Sequence, residues 1–490
     1  MGIPEPHQRA EPVAASFRDP AGELFVRQDR VFRVVNAQGR ENVAALLRSK
    51  VAQDFIERGR LIGSRILDDR EAGSVLKEIG YQLRMGSSDQ GLMVVEHERV
   101  AFPSFPYEWS PGMLAAAAQL TLELAEGLLT EGIGLKDGTP YNVLFRGPQP
   151  VFVDILSLEP RRREDPVWLP YGQFLRTFLL PLLSNKHFDM PLDQIFLTRR
   201  DGLEPEEVYR WCSWAQRLRP PFLGNVTLST WLAGKAEAEN KTLYRERSLS
   251  PDKAEYVLHT LFRRLRRALN AATARAQVSR WSDYMERTST YTDIELATKK
   301  EFVGKFLAEF HPAQVLDIGC NTGLYSFLAA ESGAAVTATD LDAAVVDTVW
   351  ERAHSQGKNV LPLVLDFSRP TPATGWRNRE CPSFLQRSHQ AFDAILMLAV
   401  VHHLLVTERV PLGEIISLAA ELCRRFLVIE YVGTQDPMFQ RLTRGRAALH
   451  KDFTQEGFEQ ECSRHFDLLL KQPVKETYRT LYLWQKRQSA

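Results

Sequence analysis

The final third of the chain alternates short apolar segments with longer stretches of helical period. Short apolar runs between polar turns are typical of strands buried on both faces, and intervening helices favour a parallel sheet. The segments that we predict as strands are 314–318, 335–340, 360–365, 392–398 and 426–432. A helix at 455–464 and two closing strands, at 466–471 and 478–485, follow them. This order predicts an α/β domain.

The first of these strands runs into a glycine turn, and the second ends on an acid. The turn reads Gln314-Val-Leu-Asp-Ile-Gly-Cys-Asn-Thr-Gly323, and the acid is Asp340. In doubly wound sheets, such a turn lets backbone approach a nucleotide, while the acid binds its ribose hydroxyls. A dinucleotide requires G-x-G-x-x-G, with a helix N-terminus facing the pyrophosphate. Here Asp317 lies at the mouth of the turn, where a carboxylate repels pyrophosphate and favours a cofactor with ammonium and sulfonium charges.

Asp317-Ile-Gly-Cys-Asn-Thr-Gly323 and Asp340 resemble the class I S-adenosylmethionine-dependent methyltransferases, whose first motif reads D-x-G-x-x-x-G. The resemblance implies a Rossmann-like, seven-stranded sheet closed by a β-hairpin, with S-adenosyl-L-methionine as cofactor. Asn321 replaces a frequent glycine, but asparagine tolerates positive φ better than most residues. The alternative is a Rossmann-like turn that binds another nucleotide or none.

The ligand of such a sheet lies at the carboxyl ends of the strands, which supplies the cofactor candidates. They are Asp317, Gly319, Asn321, Gly323, Asp340, Leu341, Asp366 and Phe367. By the resemblance, Asp366 binds the adenine amino group and Phe367 packs on the ring; the alternative for Asp366 is a turn cap. A preceding helix folds over the cofactor in these enzymes, so Tyr291 and Lys299 are candidates for holding the methionine carboxylate.

Candidate catalytic residues end the fourth and fifth predicted strands. His402 and His403 follow the fourth strand, and Glu430 ends the fifth. Imidazole titrates near neutral pH and can take a proton from an acceptor hydroxyl or amine. The alternative role for the histidines is packing or helix capping, because proximity and orientation alone can accelerate displacement at a sulfonium methyl.

Two further segments are candidates for binding the acceptor. Residues 367–390 form a long insertion that contains Trp376, and long connections are more often functional than short ones. Arg441 and Arg444 lie in a basic segment after the fifth strand, where guanidinium groups suit an anionic substrate. The alternative is a solvated basic loop.

The front half contains a segment, 134–154, in which Asp137 and Asn142 have the spacing D-x-x-x-x-N and Asp154 ends an apolar strand. It resembles the catalytic loop and metal-binding aspartate of protein-kinase-like phosphotransferases, in which these residues serve the acceptor hydroxyl and Mg²⁺. A glycine-rich loop is missing, and 30–35 contains no lysine. We therefore expect a degenerate, kinase-like α+β domain that binds substrate or a partner.

Composition limits the other function classes. The chain has 490 residues, which predicts two domains, at 1–275 and 276–490. Its 61 basic and 61 acidic residues balance, so no overall charge favours nucleic acid or a membrane surface. Five scattered cysteines argue against disulfides and a structural metal site. Without a signal-like N-terminus or a long apolar run, we expect a soluble, cytoplasmic protein.

The whole architecture looks like a bacterial family that includes host-specific nodulation methyltransferases, with Asp436-Pro-Met-Phe439 and Arg479-Thr-Leu-Tyr-Leu483 in the C-terminal half. The leading hypothesis is methyl transfer to an oxygen or nitrogen of an unidentified acceptor, recognised by the front half. That acceptor is a small molecule, a saccharide or a protein. The alternatives are a bifunctional phosphotransferase and methyltransferase, and a non-catalytic S-adenosylmethionine sensor.

Overall fold

The front half opens with an antiparallel sheet. A computed structural model describes residues 18–27, 29–81, 91–236, 248–273, 293–444 and 450–487. The strands are β1 (Gly22–Arg27), β2 (Arg30–Val35), β3 (Ser64–Ile66) and β4 (Met93–His97), in the spatial order β1-β2-β4-β3. Three helices accompany them: α1 (Ala37–Arg48), α2 (Lys50–Glu57) and α3 (Asp69–Glu78). Phe25, Phe32 and Val75 of α3 belong to one apolar cluster that packs the helix on the sheet.

A long apolar helix, α4 (Pro111–Leu129), organises the rest of the front half. By length and composition it resembles a membrane span, but more than half of it is buried in the protein, as expected for a core helix. It is followed by β5 (Ile133–Leu135), the hairpin β6 (Val143–Arg146) and β7 (Gln149–Phe152), and β8 (Leu158–Pro160), which pairs with β5. The later helices are α5 (Tyr171–Phe174), α6 (Leu180–Phe188), α7 (Leu192–Thr198), α8 (Pro205–Trp211), α9 (Trp214–Arg217), α10 (Leu228–Ala236) and α11 (Pro251–Thr273).

The C-terminal half is built on a seven-stranded sheet of order β11-β10-β9-β12-β13-β15-β14. The strands are β9 (Gln314–Ile318), β10 (Ala335–Asp340), β11 (Val360–Val364), β12 (Phe392–Met397), β13 (Cys423–Val432), β14 (Phe466–Val474) and β15 (Arg479–Lys486). The helices are α12 (Asp293–Phe310), α13 (Leu324–Glu331), α14 (Ala343–Gln356), α15 (Phe384–Ser388), α16 (Leu412–Leu422), α17 (Pro437–Thr443) and α18 (Gln455–Ser463).

Strands β9 to β13 are parallel, and β15 lies antiparallel between β13 and β14. The predicted α/β fold and its closing hairpin are therefore confirmed. All seven predicted strands are present, although β13 begins three residues earlier than predicted, at Cys423, and β14 extends to Val474.

The two halves share one continuous apolar core and a buried polar contact. The core includes Leu114 from α4 and Phe392 from β12. Within the interface, Arg387 of α15 pairs with Glu108 and donates to the carbonyl of Pro103 at 2.5 Å. The hydroxyl of Thr371 donates to the same Glu108 carboxylate at 2.5 Å. Insertion 367–390 thus joins the two halves.

A second contact meets the N-terminus of α4. The Asp347 carboxylate of α14 accepts hydrogen bonds from the Gly112 N–H at 2.8 Å and the Ser110 hydroxyl at 2.5 Å. A carboxylate at this end of a helix is stabilised by the helix dipole. On the next turn of α14, the Trp350 indole donates to the carbonyl of Pro148 at 3.0 Å. Helix α14, which follows β10, is therefore hydrogen-bonded to the front half.

We expect Glu108→Ala to lower the free energy of unfolding by about 3–5 kcal/mol, because it leaves the Arg387 guanidinium buried without its carboxylate. Urea denaturation of the full chain measures the change. The matched control is Asp54→Ala, which removes an exposed partner of Arg58 and should have little effect. A decrease in the free energy of unfolding for Glu108→Ala as small as that for Asp54→Ala would show that the interface pair is unimportant.

Candidate functional site

The glycine turn after β9 has the left-handed backbone that its sequence predicts. The φ angles are +69° at Gly319, +47° at Asn321 and +79° at Gly323. A Cβ atom at Gly319 would lie 2.7 Å from the side chain of Val400, so glycine is required there. The turn therefore brings bare backbone to the carboxyl edge of the sheet.

Asp340, at the end of β10, is hydrogen-bonded to this turn. Its carboxylate accepts hydrogen bonds from the N–H of Asn321 at 2.9 Å and of Asp342 at 3.0 Å, one on each oxygen. Each oxygen retains a lone pair that can accept from a hydroxyl. Burial raises the pKa of Asp340 above its ordinary value. Leu341 beside it is 65% exposed and supplies an apolar surface.

Asp317 lies deeper than predicted. It is 2% exposed and accepts a hydrogen bond from the Ser326 hydroxyl at 2.5 Å, so it lies inside the core and not at the mouth of the turn. Burial raises its pKa to about 6. Because the folded state disfavours the charged form, ionisation of Asp317 reduces stability as the pH rises from about 4 through 6.

Asp366 caps its own turn after β11. One carboxylate oxygen accepts from the N–H and hydroxyl of Ser368 at 2.9 and 2.6 Å, and the other accepts from Arg369 at 2.9 Å. These hydrogen bonds outweigh burial and lower the pKa of Asp366. The contacts of Asp366 thus match the alternative in which this residue caps a turn. Phe367 lines a neighbouring cleft of about 270 Å³ with Leu404.

The lead-in helix α12 contributes Lys299 to the protein interior, whereas Tyr291 lies outside the described residues. Lys299 is 2% exposed, and its ammonium contacts Glu295 at 2.9 Å and Glu430 at 2.8 Å. Its described contacts are thus with two carboxylates of the protein, beneath the carboxyl edge of the sheet.

These residues belong to what we term the Glu430 cluster, defined as Glu295, Lys299, Glu430, Asp436 and Arg479. Arg479 of β15 contacts Asp436 at 2.8 Å, Glu430 at 3.4 Å and Glu295 at 3.5 Å. No side chain of the cluster is more than 6% exposed. Asp436 also caps α17 through the N–H of Met438 at 2.8 Å. The cluster connects α12, β13, α17 and β15.

Glu430, predicted as a candidate base, has both carboxylate oxygens engaged. One contacts Lys299 and Arg479, and the other accepts the N–H of Ala399 at 2.8 Å. The side chain is fully buried. These contacts suit a structural carboxylate better than one that meets an acceptor.

His402 and His403 lie side by side, with ring centroids 4.3 Å apart. His402 is 2% exposed, and its Nδ1 has no hydrogen-bond partner within the described part of the chain. His403 is half-buried. Burial lowers the pKa of both imidazoles, and the nearby charge of Arg479 lowers it further. Both rings are therefore neutral near pH 7, the form that accepts protons.

The candidate acceptor residues occupy two different places. Arg441 and Arg444 are exposed at the end of α17, and α17 packs against the turn at His403–Thr407. Trp376 is 64% exposed, and its backbone N–H donates to the Glu380 carboxylate at 2.8 Å. Glu380 in turn pairs with Arg200 of the front half at 2.6 Å. Trp376 therefore belongs to the insertion that joins the halves, whereas the arginines lie on the histidine side.

In the front half, Asn142 binds the loop that contains Asp137. Its side-chain amide donates to the carbonyl of Asp137 at 3.1 Å and to the hydroxyl of Ser157 at 3.0 Å. Asp154 accepts from Ser157 and pairs with Arg33 of β2 at 3.2 Å. Burial raises the pKa of Asp137. Among the described residues, no group of three or more His, Cys, Asp or Glu side chains is arranged to hold a metal ion.

Sequence reasoning did not identify Arg33, and it named Asp436 and Arg479 only within the segments that carry the family resemblance, without a role. A weak signal was present, since Arg33 lies between the apolar residues Phe32 and Val34 and Arg479 begins a largely apolar strand, and a charge there requires a buried partner. Asp436 precedes a proline, as helix caps often do. The pattern does not identify the partners, which lie far away in sequence.

Comparison with known proteins agrees with this geometry. A family model described as a methyltransferase domain matches residues 316–423, which include the glycine turn, Asp340 and both histidines. The nodulation protein NoeA of Rhizobium meliloti (strain 1021) is 31% identical over 478 residues, covering 97% of this chain and 96% of NoeA. The chain belongs to the NoeA family. This member of the NoeA family is an S-adenosylmethionine-dependent methyltransferase.

Solved structures similar to this NoeA family member cover less than half of it at low identity. The N-methyltransferase NodS from Bradyrhizobium japonicum WM9 is 12% identical, with 40% of this chain and 98% of NodS covered and a TM-score of 0.30. Magnesium protoporphyrin IX methyltransferase (ChlM) from Synechocystis PCC 6803, with bound S-adenosylmethionine, is 15% identical, with 44% and 87% covered and a TM-score of 0.27. TM-scores this low give these structures no weight for function.

The residues of the site fit S-adenosylmethionine. Asp340 offers two acceptor oxygens beside a glycine turn that a Cβ at Gly319 would fill, as a ribose site requires. The buried carboxyl of Asp317 lies below the turn, and the Glu430 cluster contains three carboxylates against two cations. Negative charge beneath the site stabilises a ligand that carries ammonium and sulfonium groups.

We expect Asp340→Asn to raise the Kd for S-adenosylhomocysteine by about tenfold to a hundredfold, because an amide has one acceptor oxygen where the carboxylate has two. Isothermal titration calorimetry of the full chain measures the affinity. The matched control is Asp342→Asn, two residues away, because asparagine caps α14 as well as aspartate does. Unchanged affinity in Asp340→Asn would remove this carboxylate from the cofactor site.

Proposed function

We propose that the protein transfers a methyl group from S-adenosylmethionine to an oxygen or nitrogen of an acceptor that its front half recognises. The acceptor is a small molecule, a saccharide or a protein. His403 accepts the proton, and the exposed Arg441 and Arg444 attract an anionic group of the acceptor. The observation that carries the proposal is the pair of histidines in the segment after β12, whose ring centroids lie 4.3 Å apart and one of whose rings is half-buried.

Methyl transfer to oxygen or nitrogen requires a proton acceptor, a role that the histidines can fill. The bound cofactor supplies a methyl group on a sulfonium, already activated for displacement. A hydroxyl or ammonium acceptor must lose a proton, and a neutral imidazole within reach takes it. His403 is half-buried, which keeps it both reachable and neutral, whereas His402 is almost fully buried behind it. We therefore assign the proton to His403 and orientation of its ring to His402.

The fixed attachment of the front half supports its role in recognition. Arg387 and Thr371, in the insertion that begins directly after Asp366, form a buried contact with Glu108 of the front half. A rigidly attached domain holds an acceptor at a constant position relative to the cofactor, and constant position is what proximity catalysis requires. A domain on a flexible tether does not provide this.

We infer that the front half has a kinase-like arrangement used for binding rather than for phosphoryl transfer. The bond from Asn142 to the backbone of Asp137 supports a preserved loop, and Asp154 follows a hairpin. Arg33 argues against metal chemistry, because its guanidinium already neutralises Asp154 at 3.2 Å. A carboxylate paired in this way has less charge to offer Mg²⁺.

The test uses cofactor labelled in the methyl group, incubated with the full chain and fractionated extract of the source cell. We expect one class of molecule to take up label, and His403→Ala to slow labelling by at least about a hundredfold with cofactor affinity unchanged. Since burial lowers the pKa of the imidazole, the wild-type rate should stay constant down through pH 6.5 and fall only below it. His389→Ala, at an exposed histidine, is the control.

Three results would count against parts of this proposal. Full labelling by His403→Ala would remove the proton-acceptor role. A wild-type rate that falls between pH 8 and 6.5 would contradict a neutral buried imidazole. Cofactor binding without labelling of any fraction would favour the sensor alternative.

A further inference from the structure

Ala399, the second residue after the end of β12, has an unusual backbone. Its φ is +55°, in the left-handed region that is unfavourable for residues with a side chain. Strained residues persist only where the surroundings enforce the conformation, and they concentrate at functional sites. Ala399 lies in the segment between β12 and the two histidines.

One hydrogen bond holds Ala399, and the residue after it packs close to the glycine turn. The N–H of Ala399 donates to Glu430 at 2.8 Å, and Glu430 is fully buried. The next side chain, Val400, lies 2.7 Å from the position that a Cβ of Gly319 would occupy. The segment is thus held from below by a carboxylate and packed from the side against the glycine turn of the cofactor site.

Glu430 is itself held in place by charge. Its second oxygen contacts the ammonium of Lys299 at 2.8 Å and the guanidinium of Arg479 at 3.4 Å. These cations come from α12 and β15, at opposite ends of the C-terminal half in sequence. Both oxygens of Glu430 therefore have fixed partners, and only the one toward Ala399 touches the segment beside the glycine turn.

We propose that Glu430 is a positioning residue of the cofactor site. It holds Ala399 in the left-handed conformation, and thereby sets the wall formed by Ala399 and Val400 against the glycine turn. It takes no proton from the acceptor. This role goes beyond the proposed function, because it concerns cofactor binding and not the identity of the acceptor.

The experiment measures S-adenosylhomocysteine affinity of the full chain by isothermal titration calorimetry. Glu430→Gln should raise the Kd by about tenfold, equivalent to about 1.4 kcal/mol. An amide cannot accept from Ala399 and from both cations, since one end of it is a donor. Adding Ala399→Gly should restore most of the affinity, because glycine adopts positive φ without the carboxylate.

The rescue separates positioning from other roles of Glu430. If Glu430 acted as a proton acceptor or through its electric field, a glycine at position 399 would not restore the affinity. The affinity of Ala399→Gly alone is the reference against which the double variant is compared. Glu380→Gln changes another buried glutamate that accepts a backbone N–H, from Trp376, and pairs with Arg200, but it lies outside the Glu430 cluster, so the affinity should stay close to wild type. Glu430→Asp keeps the charge but shortens the reach, and it serves if the glutamine variant does not fold.

Three outcomes would overturn the inference. Wild-type affinity in Glu430→Gln, or in Glu430→Asp where that variant replaces it, would show that the segment needs no carboxylate. A loss that Ala399→Gly fails to restore would assign the effect to charge or stability, as would an equal loss in Glu380→Gln. A wild-type chain that does not bind S-adenosylhomocysteine would refute the cofactor site itself, which is a distinct result.

Discussion

The ionic cluster around Glu430 is the constraint on which the methyl-transfer site depends. Burying five charged side chains is costly unless each is paired, and breaking one pair leaves its partner without compensation. Lys299 and Arg479 supply that pairing from α12 and β15. Through Glu430 and Asp436 the same contacts fix the turn after β12 and the start of α17. The segments next to the histidines are thus held in place by ion pairs as well as by packing.

The same charges set the chemistry of the site. Burial, together with the charge of Arg479, lowers the pKa of His402 and His403 and keeps them neutral, whereas burial and neighbouring carboxylates raise the pKa of Asp317 and Asp340. The two histidines and the two carboxyl groups therefore occupy separate positions at the same edge of the sheet. That separation suits methyl transfer from a cationic cofactor to an acceptor that must lose a proton. The front half, fixed through Arg387 and Glu108, adds a surface of constant position beside this edge.

Much of the C-terminal fold was predictable because buried parallel strands appear as apolar runs, and the glycine turn was predictable because positive φ restricts residue type. Asn321 met that expectation. The environment of Asp317, the role of 367–390 and the contacts of Glu430 were not predictable. Each depends on partners distant in sequence, such as Glu108 for Arg387 and Arg479 for Glu430. Local periodicity shows that a charge lies in an apolar segment, but not which opposite charge meets it.

Amide hydrogen exchange at Ala399, measured without cofactor, tests most directly whether Glu430 holds the site. The N–H lies in a turn outside the strands, where exchange is ordinarily fast because such groups open locally. Its bond to a fully buried carboxylate predicts protection close to that of the neighbouring β12 amides in the wild type, and rapid exchange in Glu430→Gln. Rapid exchange at Ala399 in the wild-type chain would contradict the account.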